Sequence, residues 1–289
     1  MSLQFAYYYY STASNIASEK IRVENRGVNI DYQDSIKGDT ALIFVHDWCL
    51  NKSYWSHQWQ YFQSRYRVIT FDLPGFGKSG KNRAEWTVEE HGRDISALVT
   101  QLNVKSVIII GHSTSSAIAV ESAIQNKRSL LGLITIETFT TSQTQAEPIS
   151  SKTSAGDFGL ASGPAKRLSR RKMMEYVNNL FFSKRTTPLI RKKVLDDMAR
   201  TSARVALNCL EHIRKYPLSS KLKELDEKVY VINGEMSQTD LTQLYASNVP
   251  FEFTIVPKTG HFPMLEQPQA LNHLLDHVLE QVILSKLSK

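Results

Sequence analysis

The sequence Val107-Ile-Ile-Ile-Gly-His-Ser-Thr-Ser-Ser116 contains a pattern typical of a buried strand, followed at once by small residues that begin a helix. A serine on such a sharp turn has a strained backbone, and its hydroxyl projects at the carboxyl end of the strand. Strand and helix cross closely there, so the residues two positions away must be small, as Gly111 and Ser115 are. The pattern predicts Ser113 as a nucleophile; a serine that caps a helix is the structural alternative.

A serine hydroxyl is a poor nucleophile unless a neighbouring base removes its proton. The candidate base is His261, which follows the predicted last strand at 251–256 and precedes a helix predicted to begin near Pro268. A loop at the carboxyl edge of a sheet can place an imidazole beside Ser113. The chain has eight histidines, and this position behind the last strand distinguishes His261 from the others.

Short apolar runs alternate with helical patterns along most of the chain. This alternation favours an α/β fold with a mostly parallel sheet that is covered by helices on both faces. An antiparallel hairpin at 20–23 and 28–32 is predicted at the edge of the sheet, and Thr87-Val-Glu-Glu90 is a capping box that predicts the start of a helix. The predicted strands of the sheet lie at 41–45, 68–71, 107–110, 131–136, 229–232 and 251–256.

The alternation breaks at 139–225, where a segment rich in Ser, Thr, Gly and Gln is followed by helical patterns with no convincing strand. We predict that 139–225 forms a helical cap, or lid, over the carboxyl edge, where open α/β sheets bind ligands. The core is predicted at 20–138 and 226–289, preceded by an N-terminal arm at 1–19 with a run of tyrosines. Met173, Met174, Phe181 and Phe182 are expected either to line a pocket or to form the apolar core of the cap.

The composition is that of an ordinary globular chain, with 289 residues, 42% of them hydrophobic and 22% charged. No apolar run is long enough for a transmembrane segment, and the N-terminus lacks the pattern of a secretory signal. Two cysteines, Cys49 and Cys209, do not make a disulfide framework, so we expect a reducing, cytoplasmic setting. The oligomeric state is not predicted.

Positive charge is concentrated in one segment of a chain whose net charge is +7. Residues 164–193 contain ten lysines and arginines and a single acid, Glu175. A solvated helical face is the favoured interpretation, and transient contact of the basic cap with an anionic surface is the alternative. No nucleic-acid motif accompanies the charge, so no nucleic-acid partner is predicted.

Two backbone amides are candidates for an oxyanion hole. Trp48 lies in the turn after the strand at 41–45, and Thr114 directly follows the nucleophile. Amides at these two places can stabilise the negative charge that develops on a carbonyl oxygen under attack. No cluster of His, Cys and carboxylates has the spacing of metal ligands, so neither a metal nor a cofactor is predicted.

Four stretches together carry a family pattern: Val45-His-Asp-Trp48, the D-x-x-G-x-G-x-S turn at 72–79, Gly111-His-Ser113 and Gly260-His-Phe262. On these residues the chain resembles the α/β-hydrolase superfamily over nearly its whole length from Lys20. The resemblance implies an eight-stranded, mostly parallel sheet, a helical cap after the sixth strand, and a Ser-His-acid triad. The stretch at 46–55 is also similar to bacterial esterase-like hydrolases that have H-G-W at this place. Asp47 stands where those proteins have glycine.

The acid of the triad has two candidates. In the commonest version of the family it follows the seventh strand, where this chain has Ser237, which cannot hold an imidazolium by charge. Glu137 ends the strand at 131–136, where some family members carry the acid, and it is favoured because a buried carboxylate there needs a partner such as His261. Asp240, three residues beyond the usual place, is the alternative, and Glu235 is a less favoured third.

The serine at position 113 indicates acyl transfer, since dehalogenases and epoxide hydrolases of this fold use an aspartate nucleophile. The predicted function is a serine hydrolase that acts on a small-molecule carboxylic ester or related acyl compound through an acyl-enzyme on Ser113. One alternative is a cofactor-free dioxygenase of the same fold, in which His261 and its acid deprotonate the substrate. Another is a non-catalytic ligand-binding homologue. The sequence does not identify the substrate or its acyl-chain length.

Overall fold

The computed structural model describes residues 21–140 and 181–287, which contain nine β-strands. Seven of the strands form one central sheet, and in it every neighbouring pair is parallel except the pair at the edge formed by the third strand. The strands are β1 (Val23–Asn25), β2 (Val28–Ile30), β3 (Tyr32–Asp34), β4 (Thr40–Val45), β5 (Arg67–Phe71), β6 (Ser106–His112), β7 (Leu130–Ile136), β8 (Val229–Gly234) and β9 (Phe251–Val256). Their order across the sheet is β3-β5-β4-β6-β7-β8-β9.

The central strands are buried almost throughout, as near-continuous runs of Val, Ile and Leu require. All six strands predicted for the sheet are present, and several extend one or two residues beyond the predicted limits. The α/β-hydrolase fold with a mostly parallel sheet is therefore confirmed.

The number of strands in the sheet differs from the eight that the resemblance implies. Strands β1 and β2 pair only with each other in a separate two-stranded sheet, and β3 alone joins the central sheet, antiparallel to β5. Asp31 is the single residue between β2 and β3; its amide donates to Ser79 Oγ (2.8 Å) and its carbonyl accepts from the amide of Asp72 (2.8 Å). These two bonds hold the connection between the hairpin and the sheet.

Nine α-helices lie in the described residues, and the predicted capping box begins one of them, where Thr87 Oγ1 accepts from the amide of Glu90 (3.1 Å). The predicted start of the last helix at Pro268 is also confirmed. The helices are α1 (Ser56–Phe62), α2 (Val88–Gln101), α3 (Ser116–Gln125), α4 (Pro188–Arg200), α5 (Ala203–Lys215), α6 (Leu218–Leu222), α7 (Thr242–Ser247), α8 (Pro263–Glu266) and α9 (Pro268–Leu287).

Helices α3 and α9 cover opposite faces of the sheet. Gly111 of β6 pairs with Thr135 of β7, so these two residues lie on the same face of the sheet. Gly132 lies three residues from Thr135, and because side chains alternate along a strand it lies on the opposite face. A Cβ atom at Gly111 would lie 2.6 Å from Cβ of Ala119 in α3, and one at Gly132 would lie 2.8 Å from Val282 in α9. Glycine at both places lets a helix approach each face closely.

Three helices, α4 to α6, lie between β7 and β8, where the cap is predicted, and residues 181–225 contain no strand. The bounds 139–225 stay a prediction, because residues 141–180 lie outside the described part, as do the arm at 1–19, Met173 and Met174. Five of the ten lysines and arginines of the basic segment are also outside it. Within the part described, Lys192 and Lys193 pair with Asp196 and Asp197 along one face of α4 (2.5 and 2.9 Å).

Both cysteines are free and buried. None of the helices in the two described ranges combines the length and the apolar character that a bilayer crossing demands.

The close crossing of β6 and α3 provides a test of the fold. Gly111→Ala places a methyl group 2.6 Å from Cβ of Ala119, and we expect it to lower the free energy of unfolding by about 1–3 kcal/mol. Ala119→Gly removes the obstructing carbon and by itself costs about 1 kcal/mol of helix stability. Urea unfolding of both single variants and the double variant measures the coupling. The double variant should lose less free energy of unfolding than the two single variants lose together. Strictly additive losses would contradict the close contact between positions 111 and 119.

Candidate active site

Ser113 lies at the junction between β6 and the short 3-10 turn Ser113–Ser115 that leads into α3. Its φ angle is +56°, in the left-handed region that costs a residue other than glycine about 1–2 kcal/mol. The sequence predicted such a strained strand-to-helix turn. Ser115 is buried at the position two residues further, and its small side chain permits the crossing.

His261 lies in the loop between β9 and α8, as predicted, and this loop is anchored against the strand-to-helix turn. Nε2 of His112 donates to the carbonyl oxygen of His261 (2.8 Å), and the two imidazole rings lie 5.0 Å apart. The amide of Gly260 donates to Oε2 of Glu266 (2.5 Å), the last residue of α8, which fixes the loop against this short helix. The residue immediately before Ser113 is therefore bonded to the backbone of the candidate base.

An aromatic side chain from the predicted cap covers the His261 ring. Phe181 stacks on this ring at 4.4 Å with an angle of 24° between the planes, and Phe182 lies 6.0 Å from Phe262. Only 6% of His261 is exposed. Phe181 belongs to the buried apolar core and at the same time contacts His261, so both interpretations of this residue given by the sequence remain compatible with the structure.

Glu137 lies directly beyond β7 and is fully buried, with Oε2 at 3.3 Å from Nδ1 of His261. The amide of Gly234, the last residue of β8, donates to Oε1, and Ser237 Oγ donates to Oε2 (2.5 Å). Ser237 thus stands where the family commonly has its acid and instead holds the carboxylate of Glu137. The sequence indicated that Ser237 cannot replace the acid, but it gave no signal of this supporting contact.

The alternative acids make different contacts. Asp240 is half-buried, its Oδ1 accepts from the amide of Thr242 (3.0 Å), and its own amide donates to Phe139 (2.6 Å). Glu235 is exposed and accepts from the amide of Lys258. Within the described residues, the carboxylates at ion-pair distance from His261 are those of Glu137 and Asp47. This geometry favours Glu137 over Asp240.

Asp47 accepts from one of the two amides predicted for the oxyanion hole. Its Oδ1 accepts from both the amide (3.1 Å) and the hydroxyl (2.7 Å) of Thr114, and its Oδ2 lies 3.5 Å from Nε2 of His261. The Thr114 amide is therefore bonded to an internal carboxylate, and its role in an oxyanion hole stays a prediction. The sequence marked Asp47 as a departure from glycine, but it did not indicate where the side chain points.

The backbone around Asp47 is held from both sides. Nδ1 of His46 donates to the Asp47 carbonyl (2.8 Å), while Nε2 of His46 accepts from the amide of Leu73 (2.9 Å). The Trp48 indole donates to the carbonyl of Ala206 in α5 (2.8 Å). The loop that contains the second predicted oxyanion residue is thus attached directly to a helix of the predicted cap.

Two opposing effects set the charge of His261. Burial lowers its pKa, but the carboxylates of Asp47 and Glu137 outweigh this effect and raise the pKa from 6.5 to about 9. Burial would also raise the pKa of Asp47, yet His261, His112 and Thr114 hold it below its usual value. The ring of His112 is fully buried, and this burial lowers its pKa to about 3. At neutral pH, Asp47 and His261 therefore form an ion pair.

No group of three or more metal-ligating side chains is found within 21–140 and 181–287.

The raised pKa of His261 predicts how stability changes with pH. The pKa is higher in the folded state than the ordinary 6.5, so its stabilisation is complete below pH 6.5 and is lost as pH rises towards 9. The slope is at most about 1.4 kcal/mol per pH unit. We expect Glu137→Gln to flatten this slope in urea unfolding between pH 6.5 and 9, because it removes one of the two charges that raise the pKa. Glu235→Gln, at an exposed carboxylate, is the control. An equal change of the slope in both variants would contradict the pairing of Glu137 with His261.

The chain is similar to known proteins over most of its length. The sequence model of the alpha/beta hydrolase family matches residues 42–274. The chain is 25% identical over 250 residues to 3-oxoadipate enol-lactonase 2 of Acinetobacter baylyi, an alignment that covers 83% of this chain and 89% of the relative.

Solved structures share the fold at lower identity. The structure described as Est816, an N-acyl homoserine lactone degrading enzyme, superimposes with a TM-score of 0.73 and 22% identity, over 89% of this chain and 99% of the other. A thermophilic esterase from Thermogutta terrifontis gives a TM-score of 0.68 and 21% identity, over 91% and 98% of the two chains. With the family match over most of its length, this chain belongs to the alpha/beta hydrolase family.

Proposed function

We propose that this chain is a serine hydrolase that cleaves carboxylic esters, cyclic esters included, through an acyl-enzyme on Ser113. The observation that carries the proposal is the arrangement of His261. Glu137 holds its Nδ1 (3.3 Å), while Nε2 faces the carboxylate that is bonded to Thr114, the residue next to Ser113. This arrangement supports acyl transfer, in which a serine nucleophile depends on a base that an acid orients.

The chemistry assigns one role to each side chain. Neutral Nε2 of His261 takes the proton of Ser113 as its oxygen attacks the carbonyl carbon, and the amides of Trp48 and Thr114 stabilise the oxyanion. His261 returns the proton to the departing alcohol, so that the acyl group remains on Ser113. The same nitrogen then activates a water that releases the acid and restores the serine. Glu137 stabilises the imidazolium in both halves of the reaction.

The relatives support the substrate class. Two of the similar proteins are described as an enol-lactonase and an N-acyl homoserine lactone degrading enzyme, and a third as an esterase. A lactone is a cyclic ester, so one serine mechanism serves all three kinds of bond. Phe181, stacked over His261, gives the site an apolar cover that suits an acyl chain or an aromatic ring.

The occupied amide of Thr114 also favours a second candidate. In a cofactor-free oxygenase of the same fold, His261 and Glu137 would deprotonate a substrate that then reacts with dioxygen, and no oxyanion hole on Thr114 is needed. Ser113→Ala separates the two, because it abolishes ester hydrolysis but only weakens proton abstraction by His261.

Activity on p-nitrophenyl esters of increasing chain length tests the proposal. Ser113→Ala should lower kcat/KM by on the order of 10⁵-fold and abolish labelling by a fluorophosphonate probe. Glu137→Gln should lower kcat by on the order of 10⁴-fold, because the imidazolium loses its charged partner. Asp240→Asn and Glu235→Gln serve as matched controls with activity close to that of the unmodified protein.

Two results would contradict the assignment. Loss of turnover in Asp240→Asn with full activity in Glu137→Gln would make Asp240 the acid. Failure of the fluorophosphonate to label Ser113, together with saturable binding of small esters, would indicate a binding protein rather than a hydrolase.

A further inference from the structure

Two hydrogen-bond donors and the ring of His261 surround the carboxylate of Asp47. The amide and hydroxyl of Thr114 both donate to Oδ1, and the imidazolium nitrogen Nε2 of His261 lies 3.5 Å from Oδ2. Asp47 is 1% exposed, and within the described residues neither Oδ2 nor Nε2 makes a hydrogen bond, so the two atoms face each other at ion-pair distance. The Asp47 side chain is thus a buried anion with one oxygen on the candidate oxyanion amide and the other beside the candidate base.

The acid that an esterase releases would need the same donors. Hydrolysis of an acyl-enzyme adds water to the acyl carbon, breaks the bond to the serine oxygen, and returns a proton to that oxygen. The carboxylic acid then gives its own proton to the neutral Nε2 of His261, which becomes an imidazolium, and the product is a carboxylate. Before it leaves, one of its oxygens lies in the oxyanion hole and the other faces Nε2, which are the two positions that Oδ1 and Oδ2 of Asp47 occupy.

We propose that Asp47 is an internal analogue of the product carboxylate and that its side chain inhibits the resting site. When this side chain moves away, it leaves a binding site for small carboxylates. The proposal rests on the proposed function, because it takes Thr114 and His261 as the groups that handle substrate. It deepens that function by naming the ligand class that competes with Asp47.

Turnover and this contact exclude each other for two reasons. A substrate carbonyl cannot bond to the Thr114 amide while Oδ1 accepts from it, and Nε2 cannot take the Ser113 proton while it is charged and paired with Oδ2. An ionised carboxylate beside a developing oxyanion would also oppose the reaction, since like charges repel strongly in a buried site. Asp47 must therefore leave Thr114 before an ester can react.

The backbone contacts indicate that the side chain, rather than the whole loop, makes this movement. The Asp47 carbonyl accepts from both His46 Nδ1 (2.8 Å) and the amide of Leu50 (3.1 Å). The next two residues are attached to the helical insertion, Trp48 through Ala206 (2.8 Å) and Cys49 through Thr201 Oγ1 (3.4 Å). Rotation of the Asp47 side chain frees Thr114 without breaking any of these four bonds.

Two substitutions at position 47 test the proposal. Asp47→Gly introduces the residue that similar hydrolases have there and removes the carboxylate altogether. Asp47→Asn keeps the shape and one acceptor oxygen but lacks the charge that pairs with His261. Asp240→Asn is the matched control, because it makes the same chemical change at a half-buried aspartate outside the site. Thermal unfolding of each variant establishes that it folds.

Sodium acetate and sodium butyrate are the probes, with binding measured by calorimetry and inhibition measured on p-nitrophenyl esters. We expect Asp47→Gly to raise kcat/KM by at least about tenfold, which corresponds to about 1.4 kcal/mol. It should also acquire competitive inhibition by both carboxylates. Asp47→Asn should show a smaller gain, and the unmodified protein and Asp240→Asn should bind neither carboxylate in the same concentration range.

Several results would overturn the proposal. Folded Asp47→Gly and Asp47→Asn variants that both lose ester hydrolysis would make Asp47 a required catalytic group instead of an inhibitor. If acetate inhibits the unmodified protein as strongly as it inhibits Asp47→Gly, the Asp47 carboxylate does not occupy the carboxylate-binding site. Calorimetry in a Ser113→Ala background separates this inference from the proposed function. If carboxylates bind only when Asp47→Gly is present, and no variant that retains Ser113 hydrolyses esters, only the proposed function is overturned.

Discussion

The imidazole of His261 lies between two buried carboxylates, with Nδ1 3.3 Å from Glu137 and Nε2 3.5 Å from Asp47. Taking three ionisable groups out of water is unfavourable unless they neutralise one another and their remaining polar atoms find partners. Here Glu137 is held by Gly234 and Ser237, and Asp47 by both donors of Thr114. The two carboxylates raise the pKa of His261 by more than burial of its ring lowers it, so the charged form of His261 is the stable form at neutral pH.

The fold brings these groups together because each follows a strand of the same parallel sheet. Asp47 comes shortly after β4, Ser113 directly after β6, Glu137 directly after β7, and His261 in the loop beyond β9. The carboxyl ends of parallel strands meet at one edge, where open α/β sheets place their ligands. The central position of β6, with β4 and β7 on its two sides, makes Ser113 the meeting point.

The sequence predicted the parts of this site that depend on chain direction and strand order. Buried runs located the strands, and their ends located Ser113, His261 and the favoured acid Glu137. The choice of Glu137 over Asp240 followed from the need of a buried carboxylate at a strand end for a partner such as His261, and the structure places Glu137 beside Nδ1. The roles of these residues in catalysis stay proposals.

Other features depend on side-chain torsions and long-range packing, which sequence patterns do not encode. The rotamer of Asp47 decides whether its carboxylate faces solvent or Thr114, and a local pattern carries no information about that torsion. The hydroxyl of Ser237 supports Glu137 across a separation of 100 residues. The first hairpin was expected at the edge of the sheet, but its two strands pair only with each other, so the central sheet has seven strands within the described residues. Both differences arise from contacts between residues distant in sequence.

The charge of His261 is the quantity on which the arrangement depends, and nitrogen NMR of its labelled imidazole measures that charge directly. Both ring nitrogens should be protonated at pH 7, and the ring should lose its proton with a pKa of about 9. A neutral ring at pH 7 that titrates near or below 6.5 would mean that the two carboxylates do not hold the imidazole as described.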